Sequence, residues 1–149
     1  MSLHEEFMLK ALELAREAGS LGEIPVGCVI VSGGAVVGSG FNRRETDKDA
    51  LGHAELMAIK QACESLGSWR LTDASLYVTL EPCPMCAGAI INARIGHIIY
   101  GARDSKAGAC GGVMNLFDYR FPHTPRLTGG VLEKESAELL SGFFKKLRR

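Results

Sequence analysis

Two cysteines and a histidine–glutamate pair are the residues of this chain whose types and spacing could do chemistry. Cys83 and Cys86 lie three positions apart in LEPCPMC, and His53 and Glu55 lie two positions apart in HAE. Thiolates and imidazoles are ligands that zinc prefers in proteins. Taken alone, the cysteine pair is compatible with a closed structural zinc site, a redox pair or an open catalytic metal site.

The other candidate ligands in the sequence favour the open site. A zinc ribbon needs a second Cys-x-x-Cys, and the sequence contains none. Cys28 and Cys63 lie in apolar contexts typical of small buried residues, and an odd total of five cysteines argues against a disulfide framework. The remaining histidines are expected to have surface or packing roles: His4, His97 and His123.

His53, Cys83 and Cys86 are therefore the predicted metal ligands. Three protein ligands leave one position of a tetrahedral zinc ion free for water, which zinc makes more acidic. Glu55 follows His53 by two positions on a predicted helix, so its side chain points in a different direction and can reach that water. We expect Glu55 to act as a general acid–base group.

The predicted secondary structure places these ligands at the starts of two helices. Apolar periodicity predicts helices over 53–66 and 84–94, each following a predicted strand. The N-terminal end of a helix carries a partial positive charge, which stabilises thiolates. The apolar face of the first of these two helices is predicted to comprise Leu56, Ile59, Ala62, Cys63 and Leu66.

The whole pattern predicts an α/β fold. A hairpin over 26–31 and 35–41 follows an opening helix, and strands over 75–80 and 97–102 alternate with helices. Crossover helices imply parallel pairing of the later strands. We therefore expect three layers, α/β/α, with a mixed central sheet of about five strands and helices on both faces. An amphipathic helix over 131–149 ends the chain, with Leu139, Leu140, Phe143, Phe144 and Leu147 on its apolar side.

Length and composition exclude several classes of protein. The 149 residues, 46% of them hydrophobic, predict one domain over 1–149 with a normal core. The sequence contains no apolar run of 18 residues, so no membrane span is predicted. The acidic N-terminus lacks a signal-peptide pattern, and we therefore expect a cytoplasmic protein. A formal net charge of zero argues against a generic nucleic-acid binder. The terminal KKLRR is a local basic patch that also suits a solvated helix end.

The motifs HAE and PCPMC together resemble the H-x-E…P-C-x-x-C signature of the zinc-dependent cytidine deaminase superfamily. Within it, GARDSKAG and FFKKLRR make the sequence most similar to the bacterial enzymes that deaminate adenosine in tRNA. The resemblance implies a cytidine deaminase-like fold, one Zn²⁺ per subunit, a homodimer and a tRNA anticodon stem-loop as partner. It also implies hydrolytic conversion of wobble adenosine to inosine, with Glu55 transferring protons while water replaces the amine at C6.

The same resemblance implies a set of substrate-binding residues. Asn42 and the backbone of Ala54 would contact the target base, and Pro25 and Val26 would line its pocket. The remaining implied contacts lie near the flanking nucleotides, for Asp104 and Lys106, and near the anticodon stem-loop, for Phe144, Lys145 and Arg148.

Two other functions stay open at the level of the sequence. EPCPMC also suits a guanine deaminase, so the alternative enzyme is a guanine or cytidine/nucleoside deaminase that acts on a small molecule. The alternative without catalysis is an RNA-binding module with a structural zinc ion.

Overall fold

The computed structural model describes residues 1–147 and contains one five-stranded sheet between two layers of helices. Its elements, in chain order, are α1 (Leu3–Ser20), β1 (Gly27–Ser32), β2 (Ala35–Phe41), α2 (Ala54–Leu66), β3 (Ser75–Leu80), α3 (Pro84–Ala93), β4 (His97–Ala102), the 3-10 turn η1 (Leu116–Asp118), β5 (Arg126–Thr128) and α4 (Glu133–Leu147). The predicted three-layer α/β/α class is confirmed.

The sheet is mixed, as predicted. Its strand order is β2-β1-β3-β4-β5; β1 pairs antiparallel with both β2 and β3, whereas β3, β4 and β5 are parallel. The parallel strands are joined by crossover connections, because the chain must return to the same end of the sheet before the next parallel strand can begin. Each of these connections begins at the carboxyl end of a strand. The ligand-bearing segment 81–86 follows the carboxyl end of β3.

Alternating strand residues build a core on each face of the sheet. Val29 and Val31 pack with Tyr77 and Ile99 against α1, while their neighbours in sequence face α2 and α3. The predicted opening helix, α1, buries one apolar stripe, which consists of Phe7, Met8, Ala11, Leu12 and Ala15. Among residues 1–147, no helix is long and apolar enough to cross a membrane.

The face that α2 buries agrees only in part with the prediction, since Ala62 is buried and Ile59 and Cys63 pack against the core. The buried residues of this helix are Ala54, Glu55, Ala58 and Ala62, whereas Leu66 is 43% exposed. The cause lies in β2, where a side chain at Gly38 would overlap the carbonyl oxygen of Ala58. Helix and strand approach so closely that only glycine and alanine fit between them, and the larger side chains turn to the rim.

Two further differences concern the C-terminal third. The fifth strand of the sheet, for which the sequence predicts no position, is β5, which pairs with β4 at the edge. In α4 itself, Ser136 is the only buried residue among the described positions, and Phe144 and Leu147 are 40% and 66% exposed. The predicted apolar side of this helix exists, but much of it faces an open cavity and not the core.

The close α2–β2 contact gives a stability prediction. Gly38→Ala forces a methyl group into the backbone of Ala58 and Ala62, and we expect it to destabilise the protein by roughly 1–3 kcal/mol, as overpacking does. Gly142→Ala is the matched control, because Gly142 lies in α4 with open space around it and should be neutral or stabilising by about 0.5–1 kcal/mol. Urea unfolding of both variants measures the difference; equal midpoints would contradict the close packing.

Candidate metal centre and active site

The three predicted metal ligands lie together at the starts of α2 and α3. His53 is the N-cap residue of α2, Cys83 is the N-cap residue of α3, and Cys86 lies in the first turn of α3. Neither N-cap side chain makes a capping hydrogen bond, and the two side chains approach each other across the helix starts. Their ligand atoms and that of Cys86 all lie within 4.8 Å of one another.

The spacing of the ligand atoms suits a tetrahedral metal ion. His53 Nδ1 lies 3.7 Å from Cys83 Sγ and 3.5 Å from Cys86 Sγ. A zinc ion about 2.0 Å from nitrogen and 2.3 Å from sulfur, with tetrahedral angles, requires nitrogen and sulfur to be roughly 3.6 Å apart. The donor set and its geometry therefore fit zinc, and three donors leave one coordination position open.

The electrostatics of the cluster favour a thiolate. Hydrogen bonds from the Cys86 thiol and from His53 lower the pKa of Cys83 to about 4, despite its partial burial. The pKa of Cys86 is raised, because its thiol donates to Cys83 and is desolvated, and the bond to Cys83 raises the pKa of His53. A bound cation would take the place of these protons, since metal binding deprotonates its ligands.

Glu55 is a buried carboxylate beside this cluster. Its residue is 4% exposed, and it lines the same cavity as His53 and Cys83. Burial raises the pKa of Glu55 to about 7, because desolvation disfavours the charged form. A carboxyl group with such a pKa can both accept and release a proton near neutral pH, which is what general acid–base catalysis requires.

The cavity around the cluster has a volume of about 390 Å³, which lies in the size range of small-molecule sites. Seven of the residues predicted for the site line it: Val26, Asn42, His53, Glu55, Cys83, Asp104 and Phe144. Among residues 1–147, five predicted site residues are not part of that lining: Pro25, Ala54, Cys86, Lys106 and Lys145. Arg148, predicted to contact the stem-loop, lies outside the described residues.

Asn42 is held in place from both ends of its side-chain amide. Its Oδ1 accepts a hydrogen bond from the Ala54 backbone N–H at 3.1 Å, and its Nδ2 donates to the Ile24 carbonyl at 3.1 Å. An amide group offers two donors and two lone pairs, so one hydrogen and one lone pair stay available. Asn42 therefore combines a fixed orientation with a capacity to bond a polar ring edge in the cavity.

Glu81 was not singled out from the sequence, but it organises one wall of the cavity. This residue is 2% exposed, and its carboxylate accepts hydrogen bonds from the backbone N–H groups of Asp104, Cys110 and Gly112 at 3.0, 2.8 and 2.8 Å. A side chain at Gly108 would overlap the same carboxylate. The segment 104–112 thus wraps around a fixed anion that directly precedes the Pro-Cys turn.

Glu23 has the same role on the opposite wall. Its residue is 2% exposed, and the carboxylate accepts hydrogen bonds from the backbone N–H groups of Glu45 and Thr46 at 3.2 and 2.6 Å. Each glutamate lies within two residues of a proline, Glu23 before Pro25 and Glu81 before Pro82, and this spacing is the signal that could have drawn attention to both. The segments they hold are distant in sequence, so their partners could not have been identified from it.

Comparisons with known proteins agree with this geometry. The sequence model of the MafB19-like deaminase family matches residues 2–148. The tRNA-specific adenosine deaminase of Bacillus subtilis (strain 168) is 45% identical over 150 aligned positions, which cover 100% of this chain and 93% of that protein.

Solved structures show the same fold. A tRNA:A34 deaminase studied for A-to-I editing at the wobble position of transfer RNA superposes with a TM-score of 0.84 at 46% identity, covering 91% of this chain and 99% of that one. A guanine deaminase from Nitrosomonas europaea superposes with a TM-score of 0.82 at 22% identity, covering 93% and 83%, and this likeness shows the fold alone. With its family match over nearly the whole sequence and its 45% identity to a tRNA-specific adenosine deaminase, the chain belongs to the MafB19-like deaminase family.

Proposed function

We propose that this protein deaminates adenosine to inosine at the wobble position of a tRNA anticodon by hydrolysis. The observation that carries the proposal is the open three-ligand cluster with the buried carboxylate of Glu55 in one cavity. The Bacillus subtilis relative, 45% identical over the full chain, supports the choice of tRNA adenosine as substrate.

The proposal places the enzyme with its tRNA in the cytoplasm, and recovery of the protein in a membrane fraction would contradict it.

We further propose that one Zn²⁺ per subunit is held by His53, Cys83 and Cys86. The support is the donor set and the spacing of its atoms, which suit a tetrahedral ion with one open position. Zinc supplies Lewis acidity that makes water a nucleophile near neutral pH.

Proton transfer falls to Glu55. Its buried carboxylate takes a proton from the attacking water and delivers it to the adenine ring, and a second transfer protonates the leaving amine. The overall change is adenosine plus water to inosine plus ammonia, so the carboxylate is regenerated in its starting state. Asn42, which the Ala54 N–H holds in place, orients the base, which an RNA loop can present with little unstacking.

Contacts to the rest of the RNA are proposed on both sides of the cavity. Asp104 and Lys106 lie on the segment that Glu81 fixes, and the Asp104 carboxylate is itself anchored by the N–H groups of Lys106 and Ala107 at 2.9 and 3.1 Å. Phe144 lines the cavity from α4 and is 40% exposed, with Lys145 exposed beside it. An exposed aromatic ring next to a cation suits a stacked base and a phosphate.

A guanine or nucleoside deaminase is the alternative enzyme. The Nitrosomonas europaea guanine deaminase shares the fold at 22% identity, a level that does not assign a substrate. An RNA-binding module with a structural zinc ion is the other alternative, and the open coordination position and the buried Glu55 both argue against it.

A substrate comparison separates these functions. We expect the zinc-loaded protein to convert adenosine to inosine in an anticodon stem-loop, with guanine, cytidine and free adenosine as much poorer substrates, because a large part of the binding energy comes from the RNA. Nucleoside analysis by mass spectrometry measures all four. Turnover of guanine alone would overturn the tRNA assignment, and turnover of none would favour the binding module.

The role of Glu55 is tested by Glu55→Gln. We expect zinc stoichiometry and the unfolding midpoint to change little, whereas the deamination rate should fall by at least roughly 10²–10⁴-fold, because the amide cannot transfer protons. Glu64→Gln, at an exposed position of the same helix, is the control and should retain full activity. A Glu55→Gln enzyme with normal kcat would exclude this residue as the proton carrier.

We also propose a homodimer. Half-buried side chains of α3 and of the segment that leads into η1, among them Ala89, Met114 and Leu116, form a partly apolar surface that a second copy could cover. Sedimentation equilibrium should give twice the mass of the chain, and Ala89→Glu should shift the species towards monomer, since an unpaired charge in an apolar interface is costly. A wild-type mass of one chain at micromolar concentration is incompatible with this proposal.

A further inference from the structure

Arg44 is a cation at the cavity that the proposed mechanism does not use. Among residues 1–147, it is the only lysine or arginine that lines the cavity containing His53 and Glu55. Its side chain is exposed at the edge of the cavity. The hydrogen bonds and the ion pair found within the described chain do not engage its guanidinium.

The backbone that carries Arg44 is held from both sides. On one side, Arg43 donates to both carboxylate oxygens of Asp47 at 3.1 Å, lies over the ring of Phe41 and donates its backbone N–H to the Gly52 carbonyl. On the other side, Glu23 binds the two residues that follow, Glu45 and Thr46. The loop is therefore ordered without any help from the Arg44 side chain.

The acidic groups that line the cavity form no ion pair with this cation in the described chain. The carboxylates of Glu23, Glu81 and Asp104 each accept hydrogen bonds from backbone N–H groups. Glu45 also lines the cavity, but it forms no ion pair with Arg44 in the described chain. A guanidinium on a rigid loop at the edge of a site is suited to an anionic group of the ligand.

We propose that Arg44 binds the backbone phosphate on one side of the nucleotide whose base enters the cavity. The inference rests on the proposed function, and it deepens it, because a base within an RNA chain brings a phosphate to the cavity edge and a free base does not. Arg44 is then a binding residue through which the site selects a nucleotide in a chain over a small-molecule substrate.

Binding of an anticodon stem-loop tests the proposal. We expect Arg44→Gln to weaken binding roughly 10-fold. It should also flatten the dependence of log K on log salt concentration by about 0.7, the value for one phosphate contact on a single strand. Arg44→Lys should retain most of the salt dependence. Arg16→Gln, which removes an exposed arginine on α1 away from the cavity, is the matched control and should change neither quantity.

A second arm identifies the phosphate. Stem-loops carrying one uncharged methylphosphonate linkage, either 5′ or 3′ of the target adenosine, are titrated against wild type and Arg44→Gln. One of the two linkages should weaken wild-type binding but leave Arg44→Gln binding unchanged, because the two changes remove the same contact. Lys145→Gln, at a residue proposed to bind the stem-loop elsewhere, should stay sensitive to that linkage.

The outcomes distinguish this proposal from the proposed function. If wild type edits the stem-loop, and Arg44→Gln matches it in affinity and salt slope, the assignment of Arg44 is wrong and the function stands. The same conclusion follows if both linkages weaken binding of Arg44→Gln as much as that of wild type. If wild type neither binds nor edits the stem-loop, both proposals fail. In steady-state assays, Arg44→Gln should raise KM with little change in kcat, as expected for a group that binds substrate and transition state equally.

Discussion

The close contact between α2 and β2 determines where the chemical groups of this protein lie. Because Gly38 has no side chain and Ala58 has only a methyl group, the backbone of α2 lies unusually close to the backbone of β2. The start of α2 is thereby brought next to the end of β2, so that the Ala54 N–H reaches Asn42 and His53 faces α3. A wider spacing, filled by larger side chains, would move the imidazole away from the two thiols by more than a metal ion can span.

Three buried glutamates surround the site, and their surroundings give them different chemistry. Glu23 and Glu81 each accept hydrogen bonds from several backbone N–H groups, which stabilise the carboxylate and fix a loop around it. Glu55 has no comparable set of donors from other described segments, and its burial raises its pKa to about 7. The same side chain thus serves as a fixed anchor in two positions and as a proton carrier in the third.

The sequence allowed the cluster of His53, Cys83 and Cys86 beside Glu55 to be predicted, because each of these residues lies next to a local signal for the start of a helix. The fold class followed from alternating elements for the same reason. The buried face of α2 was predicted only in part, since Ala54 and Ala58 are buried against glycines of a different strand. The three-residue strand 126–128 is too short to show periodicity. Glu81 and Arg44 were missed because their roles depend on neighbours that only the folded chain assembles.

Helix α4 is only shallowly buried, so its residues can change with little effect on the core. Ser136 is the only buried residue of this helix among its described positions, whereas Phe143, Phe144 and Leu147 border the cavity. Exposed positions tolerate most substitutions at a cost within about 0.5 kcal/mol, so changes there leave the fold and the metal cluster intact. Substitutions in α4 can therefore reshape the rim of the cavity, while the glycines and glutamates around it stay constrained by packing.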